Sequence, residues 1–135
     1  MHIILVAPEF PANQRNFARA LREAGAYVTG IGERPVEYLD GALRGWLNAY
    51  EQVPSVIHEG AMIEAVRRIQ ARGPWVHRIE ATVEAHILPV ARVRAATKIP
   101  GQSPQSALLC RDKPQMKEFL RRNGIATAAS TAQPT

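Results

Sequence analysis

Short apolar runs alternate with amphipathic stretches along the first hundred residues. His2 to Ala7, HIILVA, is a continuous run rich in Ile and Val and stopped by Pro8, the pattern of a strand covered on both faces. It is expected at the centre of a parallel sheet. After the loop PEFPANQ, Phe17, Leu21 and Ala24 share one helical face, and Gly25 closes that helix. Ala26 to Ile31 predicts a second strand, completing a βαβ unit whose right-handed crossover sets the two strands parallel. Val36 to Leu47 is weakly helical, because its two interior glycines each cost about 1 kcal/mol relative to alanine. Tyr50 to Ile57 predicts a third strand, interrupted by Pro54 and therefore placed toward a sheet edge. Met62, Val66 and Ile69 recur at helical spacing until Gly73-Pro74 stops them, and Trp75 to Ala81 alternates as a fourth strand. Glu84 to Lys98 forms a further helix with Ile87, Ala91 and Arg94 in one row. Pro89 is expected to kink it unless it falls in the first turn.

The last third is punctuated by caps. Ser103 caps a short helix that begins at Pro104 and runs toward Cys110. Asp112 caps another with Pro114 in its first turn, Gly124 ends it, and Ile125 is placed to fold back onto Leu120. IATAAS then looks like the start of a strand. The expected fold is α/β, a Rossmann-like parallel sheet with helices on both faces, over residues 1–111, with residues 112–135 leading into another domain. Ile4, Val6, Val28, Ile31 and Val76 should lie in the sheet, with Phe17, Leu21, Val66 and Ile69 packed on its faces.

Composition narrows the function classes. The formal net charge is +5, but Arg and Lys are scattered among Glu on helix faces without runs or aromatic interleaving, so nucleic acid is not an expected partner. The longest apolar run near the start is far short of the ~20 residues that span a bilayer, and no membrane segment is expected. One cysteine, Cys110, makes no internal disulfide, and no signal peptide is evident, which points to a cytoplasmic location. Cys110 is read as a packing residue.

The loop after the first strand holds no glycine, which speaks against an NAD or FAD site. Gly30 and Gly32 followed by Glu33 could hold a ribose, though a tight turn and a solvated glutamate is the plainer reading. In parallel sheets ligands gather at the carboxyl ends of the strands, here Pro8 to Asn13, Gly32 to Pro35 and Ala81 to His86. Glu80, Glu84 and His86 lie close enough in sequence to suggest a metal site, but nothing fixes their spacing as ligands. A receiver-like signalling domain needs an aspartate ending a central strand, and Asp40 and Asp112 both lie elsewhere.

Three segments, VAPEFPANQRNFARALREAGAYVTGIGERP, RIEATVEAH and IPGQSPQSALLCRDKPQMKEFLRRNGIATA, resemble in order and spacing the N-terminal (pre-ATP-grasp) region of bacterial biotin-carboxylase-like ATP-grasp proteins. The resemblance implies a ligase that uses ATP and Mg2+ to activate a small carboxylate as an acyl phosphate, which an amine or similar nucleophile then attacks. It implies that Lys113 contacts the nucleotide phosphates, with Lys117 one turn on as a surface or supporting cation. It also implies that Glu80, Glu84 and His86 face the substrate. Residues 112–135 become the linking helix and the start of the ATP-grasp domain. The parts that clamp adenine and coordinate magnesium would lie beyond Thr135, so this stretch alone is expected to be inert and to hold no nucleotide tightly. The alternative is a free-standing Rossmann-like small-molecule-binding or interaction module, and self-association is open in either case.

Overall fold

The structure, a computed structural model, describes residues 1–128. Its centre is a four-stranded, wholly parallel sheet: β1 (His2–Val6), β2 (Tyr27–Gly32), β3 (Ala49–Gln52) and β4 (Arg78–Glu80), in the order β3-β2-β1-β4. The apolar run HIILV pairs on both sides, with Ile4 opposite Thr29 on one neighbour and Ile79 on the other. Among the described residues there are six helices, α1 (Arg15–Glu23), α2 (Gly41–Trp46), α3 (Glu59–Arg72), α4 (Glu84–Ala96), α5 (Pro104–Arg111) and α6 (Lys113–Arg122), of which α5 packs on α4 and α6 on α5.

Strand alternation divides the core in two. Ile4, Val6, Ile31 and Ile79 face α3 and α4, where Met62, Val66, Ile69, Val90 and Val93 complete the larger cluster. Leu5 and Val28 face the other way, against Ala18 of α1 and Leu43 of α2. Helices on both faces of a parallel sheet are therefore what the sequence specifies.

Several local expectations need correction. Phe17 is 45% exposed. The inward row of α1 is Gln14, Ala18 and Leu21, and the small Ala18 packs the helix close to the sheet while Phe17 sits one position off it. Val76 is buried but outside the sheet, since β4 starts only at Arg78. Val76 joins the same core cluster as Ile79 from just before the strand. Pairing there starts instead with His77, whose Nδ1 accepts from the His2 N–H at 2.9 Å and whose own N–H donates to the His2 carbonyl at 2.9 Å. The third strand lies at the edge as expected but ends before Pro54. The weakly helical stretch resolves into a short turn at Val36–Tyr38 and α2, whose cap, Asp40, accepts from the Leu43 N–H. Pro89 stands inside α4, beyond its first turn. Cys110 is exposed on α5, where Ala107 fills the inward position. Its role is not packing.

The caps are as expected. Ser103 accepts from the Ser106 N–H at 3.1 Å and Asp112 from the Gln115 N–H at 3.1 Å. Gly124 adopts φ 76°, and the Ile125 N–H donates to the Leu120 carbonyl at 2.9 Å, closing α6 with a Schellman motif. Asp112 follows α5 and caps α6, so the two helices meet with no intervening loop. Ile125 to Ala128 form no strand, and the rest of the expected strand lies outside the described residues.

Candidate functional site

The loops leaving the carboxyl ends of the strands converge on one cleft of about 240 Å³. Glu9 and Phe10 come from the loop after β1, Glu33 and Arg34 from the end of β2, Val56 from beyond β3, and His86 from the first turn of α4. Ala7 forms part of the wall. Its N–H continues the sheet by donating to the Ile31 carbonyl at 2.7 Å, and then its φ of 53° takes the chain out of the strand. A left-handed alanine costs about 1–2 kcal/mol, a cost that the buried setting of Ala7 sustains.

Glu9 is fixed by the end of β2. Its Oε2 accepts from the Glu33 N–H at 3.0 Å and the Arg34 N–H at 3.2 Å, and lies 3.1 Å from the Tyr50 hydroxyl. That hydroxyl also reaches the Arg34 carbonyl at 2.7 Å, and its single proton serves one acceptor at a time. Burial, and then the neighbouring Glu9 carboxylate, push the Tyr50 phenol far above its ordinary pKa, so it remains a donor. Gly32 makes the arrangement sterically feasible: a Cβ there would run into the Glu9 carboxylate and come within 2.5 Å of the Tyr50 oxygen.

Glu33 is an exposed turn residue, as expected, but it also holds the loops together. Its Oε2 accepts from the Val56 N–H at 3.0 Å, and its carbonyl accepts from the Gln52 side chain at 3.3 Å, tying the loop beyond β3 to the end of β2. Burial pushes the His86 imidazole below its ordinary pKa, against the opposing pull of Glu33 and Glu9. Two polar atoms of cleft-lining residues, Glu9 Oε1 and His86 Nδ1, are buried without a protein partner.

Of the residues that the sequence singled out, His86 lies in this cleft and Glu80 and Glu84 do not line it. Glu80 ends β4 and pairs with Arg94 at 3.2 Å. Arg94 is itself buried, with one Nη donating to the Gln102 carbonyl at 2.7 Å and the other to the Ile79 carbonyl at 2.6 Å. It thereby fastens β4 to the turn before α5. Glu84 is an exposed first residue of α4, where its charge complements the helix dipole. Lys113 is the exposed first residue of α6 and Lys117 is half-buried one turn on; neither lines the cleft. Among the described residues no group of three or more His, Cys, Asp or Glu side chains is arranged to hold a metal ion. Nor is any helix long and apolar enough to cross a membrane.

The three strand-end loops named from the sequence do meet at this cleft, whereas Glu9 and Tyr50 are not singled out by it. The available signal was the glycine pair at 30 and 32: a strand end without side chains leaves room for another group, and the nearest charged residue in the preceding loop is Glu9.

No family model and no curated protein matches this sequence. Solved structures do. The L-amino acid ligase from Bacillus licheniformis superposes with a TM-score of 0.69 at 18% identity, over 93% of this chain and 31% of its own. The phosphoribosylglycinamide synthetase from Anaerococcus prevotii superposes with a TM-score of 0.70 at 13% identity, over 91% of this chain and 29% of its own. The chain thus spans about a third of the length of the enzymes it matches. Its parallel α/β fold is shared with about a third of each of these two enzymes.

Proposed function

We propose that this chain serves as the N-terminal domain of an ATP-grasp ligase, a protein that joins a small carboxylate to an amine or similar nucleophile through an acyl phosphate. The observation that carries the reading is the match of nearly the whole chain to about a third of an L-amino acid ligase. The division of labour follows from what this chain contains. ATP and Mg2+ do not fit its own residues. The cleft is smaller than the ~300–1,000 Å³ of ordinary ligand pockets, it is lined by carboxylates that repel phosphate, and no acidic cluster among the described residues would hold the metal. In this reading residues 1–111 present the strand-end cleft to the substrate, and residues 112–135 link to the ATP-binding part. Lys113, exposed at the start of α6 beside the Asp112 cap, is the cation offered to the nucleotide phosphates.

The test is Lys113→Met in a protein that continues through an ATP-binding part, assayed for carboxylate-dependent ADP release. Loss of one charge-assisted hydrogen bond, about 1.5–3 kcal/mol, predicts a ten- to hundredfold fall in kcat/KM for ATP. Thermal stability should hold, because the side chain is exposed. Turnover equal to that of the unmodified protein dismisses the role of Lys113. No carboxylate-dependent ADP release from the unmodified protein dismisses the ligase reading.

A further inference from the structure

A second cleft, of about 340 Å³, opens at the other end of the sheet, where the strands begin. There α3 and α4, which run back from the strand ends, finish beside the segment that leads into β4. Gln70 comes from the last turn of α3, Trp75 and Val76 from the segment before β4, and Thr97, Lys98 and Ile99 from the end of α4. Val76 and Ile99 are buried side chains of the main core, so the base of the cleft is apolar. Its volume falls within the ~300–1,000 Å³ of ordinary ligand pockets.

Two of the lining side chains are unused by the fold. Trp75 is 77% exposed, more than any other large apolar side chain among the described residues, and among those residues its ring has neither an aromatic nor a cationic partner. Lys98 is exposed and stands just after α4 with φ 59°, a left-handed position that favours glycine. A cation near a helix end commonly serves the last carbonyls. Here the Val93, Arg94 and Ala95 carbonyls already accept from the Thr97, Ile99 and Lys98 N–H groups, and the Thr97 carbonyl accepts from the Gln70 side chain at 3.2 Å. Among the described residues the Lys98 ammonium has no carboxylate partner.

Charge and shape then select the occupant. Lys98 is the one charged residue in the lining and no carboxylate accompanies it, the opposite of the strand-end cleft with Glu9 and Glu33. A cation is repelled, and a nucleotide brings more negative charge than one ammonium balances. An aromatic ring stacks on an exposed indole and covers an apolar base, and a single carboxylate matches a single lysine. We propose that this cleft binds a small planar aromatic carboxylate, with its ring against Trp75 over Val76 and Ile99 and its carboxylate on the Lys98 ammonium. The binding involves no residue of the strand-end cleft or of α6, so it stands or falls independently of the ligase reading.

The experiment is an amide-resolved NMR titration of the 135-residue chain with indole-3-acetate, and in parallel with acetate, tryptamine and AMP. Saturable shifts at Trp75, Val76, Thr97, Lys98 and Ile99, the Trp75 indole N–H included, are expected with indole-3-acetate alone. Trp75→Ala removes the stacking surface and should weaken binding about tenfold. Lys98→Met keeps the stem and removes the charge, and should weaken binding about three- to tenfold and abolish its dependence on salt. Both side chains are exposed, so thermal unfolding of the variants should match that of the unmodified chain. Shifts that stay linear in indole-3-acetate concentration, saturation of these amides by acetate, tryptamine or AMP, or undiminished binding by either variant would each overturn the proposal.

Discussion

Gly32→Ala tests whether the Glu9 anchor is as tightly built as its geometry indicates. The added methyl would fall onto the Glu9 carboxylate and within 2.5 Å of the Tyr50 oxygen, so the carboxylate must move off the strand end. Moving it removes acceptors from the Glu33 and Arg34 N–H groups and from Tyr50. The two amides lie toward solvent and recover part of their hydrogen bonding from water, which brings the loss to about 2–3 kcal/mol. Replacing a strand glycine returns about 0.5 kcal/mol of backbone entropy, leaving a net cost near 2 kcal/mol. For a chain of 135 residues that is a fall in Tm of about 6–10 °C by calorimetry or circular dichroism. A double-mutant cycle isolates the cause. If the methyl acts by displacing the carboxylate, Glu9→Ala and Gly32→Ala together cost at least ~1 kcal/mol less than the sum of the two. Additivity within about 0.5 kcal/mol, or a Gly32→Ala protein as stable as the original, would refute the reasoning.

Two further substitutions probe charges held inside the fold. His2 is buried, with one ring nitrogen 2.9 Å from the Pro74 carbonyl and the other 2.7 Å from the Thr29 hydroxyl, and burial lowers its pKa below the ordinary 6.5. Between its folded and unfolded pKa values the unfolded chain binds the extra proton, so stability is full above about pH 6.5, declines as pH falls from there toward the folded value, and levels off below it. His2→Phe should flatten that slope in urea melts taken at several pH values, leaving a residue from His86, which shifts the same way; an unchanged slope would exclude His2 as its source. Arg94→Met strips the Ile79 and Gln102 carbonyls of their donor and Glu80 of its partner, for an expected loss of about 2–4 kcal/mol in denaturant unfolding. A loss under about 0.5 kcal/mol would show that β4 and the turn before α5 hold together without it.

Most of the scaffold could be read from periodicity because the sheet is covered on both faces. HIILV carries apolar residues at every position from Ile3 to Val6, a pattern that makes sense only where Ile4 and Val6 meet α3 and α4 while Leu5 meets α1 and α2. The capped ends were equally legible, since Ser103, Asp112 and Gly124 act on their own neighbours. The misreadings share a cause. Helical spacing puts Phe17 on the inner face and residue type makes Cys110 a packing residue, whereas the positions that turn inward on α1 and α5 are the small residues Ala18 and Ala107, through packing that periodicity does not reveal.

The strand-end loops are legible in the sequence, but the contacts that build the cleft are not, for a different reason. Its key contacts join residues 24 and 41 positions apart, Glu9 to Glu33 and Glu9 to Tyr50, and no local rule links them. They become visible only when the parallel register sets Val6 beside Ile31 and Gly30 beside Tyr50, which carries the loop after β1 over the bare backbone of Gly32. The helices and strands therefore follow from local pattern, while the position of one carboxylate oxygen follows from topology. In a parallel sheet the strand ends are where loops from distant parts of the chain come together. A charged residue held there by two amides and a phenol, over a glycine that leaves it room, is a consequence of the register.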